Sequence, residues 1–294
     1  MSTEIYYFSG TGNSLHVARE LHKRLPDSKL VPMVKKLNEE MIKTAGESAG
    51  FVFPLYFTTI PAPVRQFVKK LDMGSVRYTF SIVTRQGSFS VANLSLGRLL
   101  GEKGKKLDAR YVLNMAGNTP TGLKPGKGNT RWVHEINDSK LAQLEEGVQV
   151  HLDFIHKNIL GQVKHPAKTY LNPFLTLLER AMYLLTRNIK EDIAYYTDST
   201  CTGCGTCERV CLSQKIRMVN KRPAWQKEIN CFYCYACFNF CPPQAILVKN
   251  KYNKKDGRYY HPGIIASDIA RQKENLENLN CRFGVNGRKK TVTD

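Results

Sequence analysis

The sequence predicts two units in series: a doubly wound α/β domain on a parallel sheet, then a small α+β module organised around cysteine. Three observations carry this. Short β-rich runs alternate with helical ones over the first 160 residues, a small polar turn follows the first strand, and eight of the nine cysteines fall between positions 201 and 241. A chain of 294 residues has room for about two domains, each able to bury an apolar core without disulfide staples.

The first strand is expected over 4–8, ending in the turn Ser9-Gly10-Thr11-Gly12-Asn13-Ser14. Leu15, Ala18, Leu21 and Leu25 then recur at helical spacing until Pro26 stops the helix. An apolar strand over 50–55, a helix over 63–71, a strand over 78–84, a helix over 91–102 and a strand over 109–115 follow. Alternation at this spacing implies parallel strands covered by helices on both faces. Residues 116–131 (AGNTPTGLKPGKGNTR) read as a long loop, and 138–160 as the last helix of this domain. The expected organisation is therefore a first domain over 1–160, a helical linker over 161–195, the cysteine module over 196–250 and a basic tail over 251–294. In the linker, a helix over 174–187 carries a broad apolar face that includes Phe174, Leu177, Leu178, Ala181, Leu184 and Leu185. Such a face suits packing between domains, or docking on a membrane surface or partner.

Cys201, Cys204, Cys207 and Cys211 form C-x2-C-x2-C-x3-C, and Cys231, Cys234, Cys237 and Cys241 repeat it. Compact runs of this kind wrap three thiolates around one iron–sulfur cubane while the fourth reaches the other. Cys201, Cys204, Cys207 and Cys241 are thus expected at one [4Fe–4S] cluster, and Cys231, Cys234, Cys237 and Cys211 at a second. Zinc sites more usually pair C-x2-C hooks across longer spacers. With Cys241-Pro242 and the small residues Thr202, Gly203 and Gly205, the segment resembles bacterial-type dicluster ferredoxins, although Leu212 stands where they usually carry proline. Cys281 lies outside both runs, as a plain thiol or a redox group.

The Ser9–Ser14 turn offers two glycines, three hydroxyls and an amide where a helix begins, and free N–H groups and the helix dipole there suit a phosphate. It is neither a Walker A loop nor G-x-G-x-x-G, and a plain βα turn has the same look. Together with Phe53-Pro54-Leu55-Tyr56-Phe57 and Thr84-Arg85-Gln86-Gly87, it resembles flavodoxins over about residues 3–160. The resemblance implies FMN, with Ser9, Thr11, Gly12, Asn13 and Ser14 on its phosphate. Pro54, Leu55, Tyr56 and Phe57, with Thr84, Arg85, Gln86, Gly87, Ser88 and Phe89, would then flank the isoalloxazine ring. Ligands of open α/β sheets sit at such strand ends. Tyr56 and Phe57 also suit a core; Arg85 and Gln86 suit ring edges. The whole chain resembles the fused flavodoxin-like/dicluster ferredoxin proteins of anaerobes (EFR-type), with Thr58 and Thr59 where those commonly carry glycines. The segment Arg258-Tyr259-Tyr260-His261-Pro262 resembles part of their tail, with His261 closing over a cofactor or forming a structural turn.

Lys and Arg number 44 against 25 Asp and Glu, a formal charge of +19. Two dianionic clusters and a doubly ionised phosphate would leave about +13. That surface suits an acidic partner, expected to be a ferredoxin-type redox protein and not nucleic acid. No run of 18 apolar residues predicts a membrane span, and no basic, then apolar, leader predicts export. A reducing cytoplasm is expected, in which cysteines ligate metal. Clusters pass single electrons and FMN accepts one or two. The sequence therefore reads as an electron-transfer iron–sulfur flavoprotein feeding a small-molecule or protein acceptor; the alternative is a pure carrier serving a separate reductase. No second nucleotide fingerprint supports NAD(P)H oxidation, and no catalytic residue is assigned. Lys124, Lys127 and Arg131 in the long loop are candidate donor contacts.

Overall fold

A computed structural model describes residues 2–87, 90–119, 137–165, 174, 177, 181, 194–249 and 258–273. The first unit comprises β1 (Thr3–Tyr7), α1 (Asn13–Arg24), β2 (Ser28–Pro32), a 3-10 turn (Met33–Lys36), β3 (Ile42–Lys43), β4 (Ser48–Pro54), α2 (Ala62–Lys70) and β5 (Leu71–Asp72). It continues through β6 (Tyr78–Arg85), α3 (Ala92–Gly101), β7 (Ala109–Asn114) and α4 (Asp138–Leu160). Five strands form one sheet in the order β2-β1-β4-β6-β7, every neighbouring pair parallel. This is the flavodoxin-like doubly wound arrangement; β3 and β5 form a separate short parallel pair.

Burial explains why these strands are legible. All of β1, and all but the last residue of β4 and β6, are buried, as expected where helices cover both faces of a parallel sheet. α1 turns Leu15, Val17, Ala18 and Leu21 inward and packs beside α4, where Arg24 binds Asp153 at 2.8 Å and Gln149 at 2.7 Å. The edge strand β2 has no such signature: in SKLVP only Val31 is buried. It pairs through its backbone with β1, so neither an apolar run nor an alternation marks it.

The register of β4 against β6 places Gly50 opposite Phe80, whose ring occupies the space of a side chain. A Cβ on Gly50 would lie 2.1 Å from Phe80 Cζ, so only glycine fits.

The second unit contains β8 (Tyr195–Thr197), α5 (Thr206–Val210), β9 (Ile216–Val219), β10 (Arg222–Trp225), α6 (Ala236–Asn239) and β11 (Ile246–Val248). β8 pairs antiparallel with β11, and β9 with β10 as a hairpin. Each cysteine run makes a loop, a short helix and then a strand. The two units share one core, because Val210, Leu212, Cys234, Ala236 and Phe240 join the apolar cluster of the sheet.

Residues 258–273, including α7 (Ala266–Ala270), run back over both units. Arg258 donates to the carbonyls of Phe238, Gln244 and Ile246, and Lys273 to those of Glu208 and Cys211. On the sheet side, Asp268 pairs with Arg19 at 2.7 Å. Positions 174, 177 and 181 are helical; the rest of the 174–187 helix, most of the 116–131 loop with Lys124, Lys127 and Arg131, and Cys281 lie outside the described residues. No helix among the described residues is long and apolar enough to cross a membrane.

Gly50→Ala should lower stability by about 1–3 kcal/mol, the usual cost of overpacking. Gly147→Ala, on α4 with nothing within 4 Å of the new carbon, should instead raise it by up to about 1 kcal/mol. Thermal and urea midpoints of the two variants check the pair; a neutral Gly50→Ala would contradict the β4–β6 register.

Candidate functional site

A cavity of about 120 Å³ opens at the carboxyl ends of β1, β4, β6 and β7, where the strand order reverses. It is lined by Ser9, Gly10, Thr11, Asn13, Ser14, Pro54, Leu55, Tyr56, Thr84, Arg85 and Gln86, with 116–119 closing one side. Three sequence segments expected to meet do so. Gly12 shapes the turn from behind, at φ 105°, and is the N-cap of α1 without any side-chain cap. Phe57 stands outside the lining, its ring edge-on to Tyr233 at 5.8 Å. Gly87 follows β6 at φ 93°; Ser88 and Phe89 lie outside the described residues.

Much of the polar chemistry in this turn is committed to holding its shape. Ser9 Oγ accepts from the Gly12 amide at 3.1 Å, and Ser14 Oγ shares a hydrogen bond with Thr84 Oγ1 at 2.8 Å. Thr11 Oγ1 accepts from Asn118 Nδ2. Asn13 donates to the Ala116 carbonyl at 2.8 Å and accepts from the Tyr259 hydroxyl at 2.9 Å. The uncapped start of α1, the hydroxyls and Arg85, with no carboxylate in the lining, make a donor set that fits an anionic phosphate. Gly10 and 116–119 were not singled out as site residues, and only the Gly/Pro/Thr-rich composition of the 116–131 loop hinted at the latter.

The cysteines fall into two interleaved groups. Cys207 feels the charges of Cys241, Cys204 and Cys201, whereas Cys231 and Cys234 feel Cys211 and Cys234 also feels Cys231. Cys237 feels Cys211 most, then Cys234 and Cys231, and last Cys207 of the neighbouring group. Burial first, then these neighbours, pushes the Cys207 thiol up to about 12 and Cys231 to about 11, and Cys234 and Cys237 well above the ordinary thiol range. Buried sulfurs so crowded ionise together only when cations neutralise them, which is what iron provides. Amides already point at sulfur, Tyr233 N–H to Cys231 at 3.2 Å and Ala245 N–H to Cys241 at 3.3 Å. The donor set fits cubane ligation.

The two sites touch. A Cβ on Gly10 would lie 2.6 Å from the Cys234 carbonyl oxygen and 2.5 Å from Tyr56 Oη. Phe232 packs edge-on against Phe8, which meets Tyr56 in the same way. Burial, then Cys234, holds the Tyr56 phenol far above its usual range, so it stays neutral. Of the eight cysteines, only Cys204 is exposed; it lies in the other group.

The C-terminal strap clamps the phosphate turn. Gln272, fully buried, accepts from the Ser9 amide at 2.9 Å and donates to its carbonyl at 2.8 Å. His261 donates its backbone N–H to Thr11 at 2.8 Å and stacks on His16 with ring centroids 4.0 Å apart. Glu145 bonds His16 at 2.8 Å and lies 3.6 Å from His261. The Gly263 amide donates to His261 Nδ1 at 3.2 Å, so the neutral ring carries its proton on Nε2, facing Glu145. A metal at Nε2 would need the opposite tautomer; the cluster is a clamp.

A family model described as a 4Fe-4S dicluster domain matches residues 200–246, and this segment is an iron–sulfur cluster-binding domain. No curated protein matches the chain. Among solved structures, a candidate flavoprotein from Bacteroides uniformis is similar at 17% identity and a TM-score of 0.32, over 40% of this chain and 92% of that one.

Burial, then His16, pushes His261 down to about 4 from its ordinary 6.5. The folded state thus prefers the neutral ring, and the unfolded state binds the extra proton between these values. The stabilisation is complete above about pH 6.5 and is lost as pH falls toward 4. Protection factors over 258–273, corrected for the intrinsic pH dependence of exchange, should fall as pH drops across that window, and His261→Phe should flatten the change. Equal protection at pH 7.5 and pH 5 would contradict it.

Proposed function

We propose that this chain is an electron-transfer iron–sulfur flavoprotein with two [4Fe–4S] clusters and one FMN. Cys201, Cys204, Cys207 and Cys241 would hold the cluster that takes single electrons from a ferredoxin-type donor. Cys231, Cys234, Cys237 and Cys211 would hold the second cluster, beside the cavity at the sheet's carboxyl edge from which a small-molecule or protein acceptor would be served. The observation that carries this reading is the contact of Cys234 with Gly10 and Tyr56, which puts the inner cysteine group against the cavity wall. The exposure of Cys204 alone supports the outward group as the entry. FMN bound in the cavity would accept one or two electrons, linking a one-electron pool to a two-electron reaction.

The chain's own residues set the conditions for this. Gly10, Thr11 and the start of α1 hold the phosphate end, and Gln272 and His261 fix that turn from behind. Tyr56, neutral and half-buried with its hydroxyl covered, closes the wall between the sites with Phe8 and Phe232, so little water needs to reorganise there when charge moves. The cluster-binding chemistry implies a reducing compartment such as the cytoplasm.

Anaerobically purified protein should contain one FMN, eight iron and eight acid-labile sulfide per chain, counts that follow from eight cysteines in two cubane sets. Stoichiometric zinc in place of iron would refute the assignment.

Cys234→Ala should damage one cluster and stop reduction of FMN by a ferredoxin-type donor, while chemically reduced FMN in the variant still reduces the acceptor. Rapid-mixing absorbance separates the two steps. Normal flavin reduction with acceptor turnover lost would reverse the order of flow and favour the carrier reading, with FMN as the entry port.

A further inference from the structure

We propose that the face formed by the first cysteine loop and the β9–β10 hairpin is the docking surface for an acidic electron-donor protein of the ferredoxin type. This rests on the reading above and adds where the donor sits. Electron transfer between proteins fades steeply with distance, so a donor must approach the cysteine group that reaches the surface. Cys204 is the exposed member.

Cations share this face. Arg209 donates to the Cys204 carbonyl at 3.0 Å and to Thr206 Oγ1 at 2.9 Å. Lys221 packs its backbone against Gly203, where a Cβ would lie 2.7 Å from the Lys221 carbonyl oxygen. Arg222 donates to the Asp198 carbonyl at 3.0 Å. Arg217, Lys221 and Arg222 are all exposed. The acidic groups here are largely engaged: Glu208 lies 3.7 Å from Arg217, and the Asp198 carboxylate accepts from the amide and hydroxyl of Thr200.

The presentation is rigid. Val219 pairs with Arg222 in the hairpin, and the two residues between them, Asn220 and Lys221, have φ of 48° and 60°. That is the tight two-residue turn whose twist matches paired strands, and it fixes Lys221 at the tip. Val219 itself is 54% exposed. An apolar residue within a cationic rim, beside a surface cysteine, has the anatomy of a protein interface. A nucleic-acid backbone has no use for the apolar element or the cysteine. Carboxylates on the donor would be steered by this field.

The test uses the full chain with both cofactor types confirmed by absorbance and iron content. A purified acidic [2Fe–2S] ferredoxin, reduced photochemically, is mixed with the wild type, with R217Q/K221Q/R222Q, and with the charge-matched control K29Q/K43Q/K69Q on the sheet domain. At low ionic strength the first variant should lose about tenfold or more in second-order rate, and its salt dependence should flatten. The control should change less than twofold, and dithionite should reduce all three proteins alike. Equal losses in both variants, or none in the first, would overturn the docking surface while leaving the cofactor reading intact. Loss of duplex-DNA binding with an unchanged ferredoxin rate would overturn it in favour of a nucleic-acid surface. A wild type without iron–sulfur absorbance would overturn both.

Discussion

Gly10 has no Cβ, and the second cysteine loop occupies the space that one would take. The carbonyl oxygen and Cβ of Cys234 would lie 2.6 and 2.7 Å from it. Because both partners are backbone or near-backbone, the spacing between turn and loop is set by the chain itself and not by adjustable side-chain ends. The shared core follows from this, since Phe232, Ala236 and Phe240 can reach the sheet's apolar cluster only when the loop is seated there. The strap then reinforces it from the opposite side through Gln272 on Ser9 and His261 on Thr11. A turn whose donors suit a phosphate and a loop whose cysteines suit a cluster are thereby packed against each other.

Electrostatics explains why the strap crosses where it does. Arg258 is pushed down to about 10, by burial foremost, with Cys241 pulling the other way. It remains cationic at neutral pH, stacked 3.8 Å from the Phe238 ring centre and bonded to three carbonyls. A half-buried cation of this kind is best tolerated where negative charge is also expected. Cys241 and Cys237 belong to different groups, and Arg258 faces both. The strap thus delivers compensating charge to the cysteine module and hydrogen bonds to the phosphate turn in a single pass.

The cysteine module was legible because metal ligation is local: four sulfurs around one cubane demand short, repeated spacings that a sequence displays directly. The Ser9–Ser14 turn was legible as a strand-to-helix turn for a similar reason, as its glycines and hydroxyls cluster between β1 and α1. What stayed hidden depends on contacts far apart in sequence. β2 is held by β1 and not by its own pattern. Gln272 acts 263 residues away from Ser9, and no local feature marks it. The expected role of Asn13 on phosphate misses that its amide brackets Ala116 and Tyr259. Tyr56, core or wall by its sequence, is half-buried against the sheet's apolar cluster and lines the cavity as well.

The two cysteine runs repeat in backbone as well as in spacing, and their difference explains the polarity of the module. Gly203 and Gly205 have φ of 72°, and the matching positions of the second run, Tyr233 and Tyr235, have φ of 55°. A tyrosine in the left-handed region costs on the order of 1 kcal/mol or more, where glycine costs nothing comparable. That cost persists only where the rings contribute something, and each does: Tyr233 meets Phe57 of the sheet domain, and Tyr235 packs near Tyr195 in the module core. The first run keeps glycine and faces water, so its loop stays low around exposed Cys204. Bulk is placed where the module meets the sheet domain and withheld around the exposed cysteine. The same turn geometry therefore yields an inner end packed on the sheet domain and an outer end that reaches water.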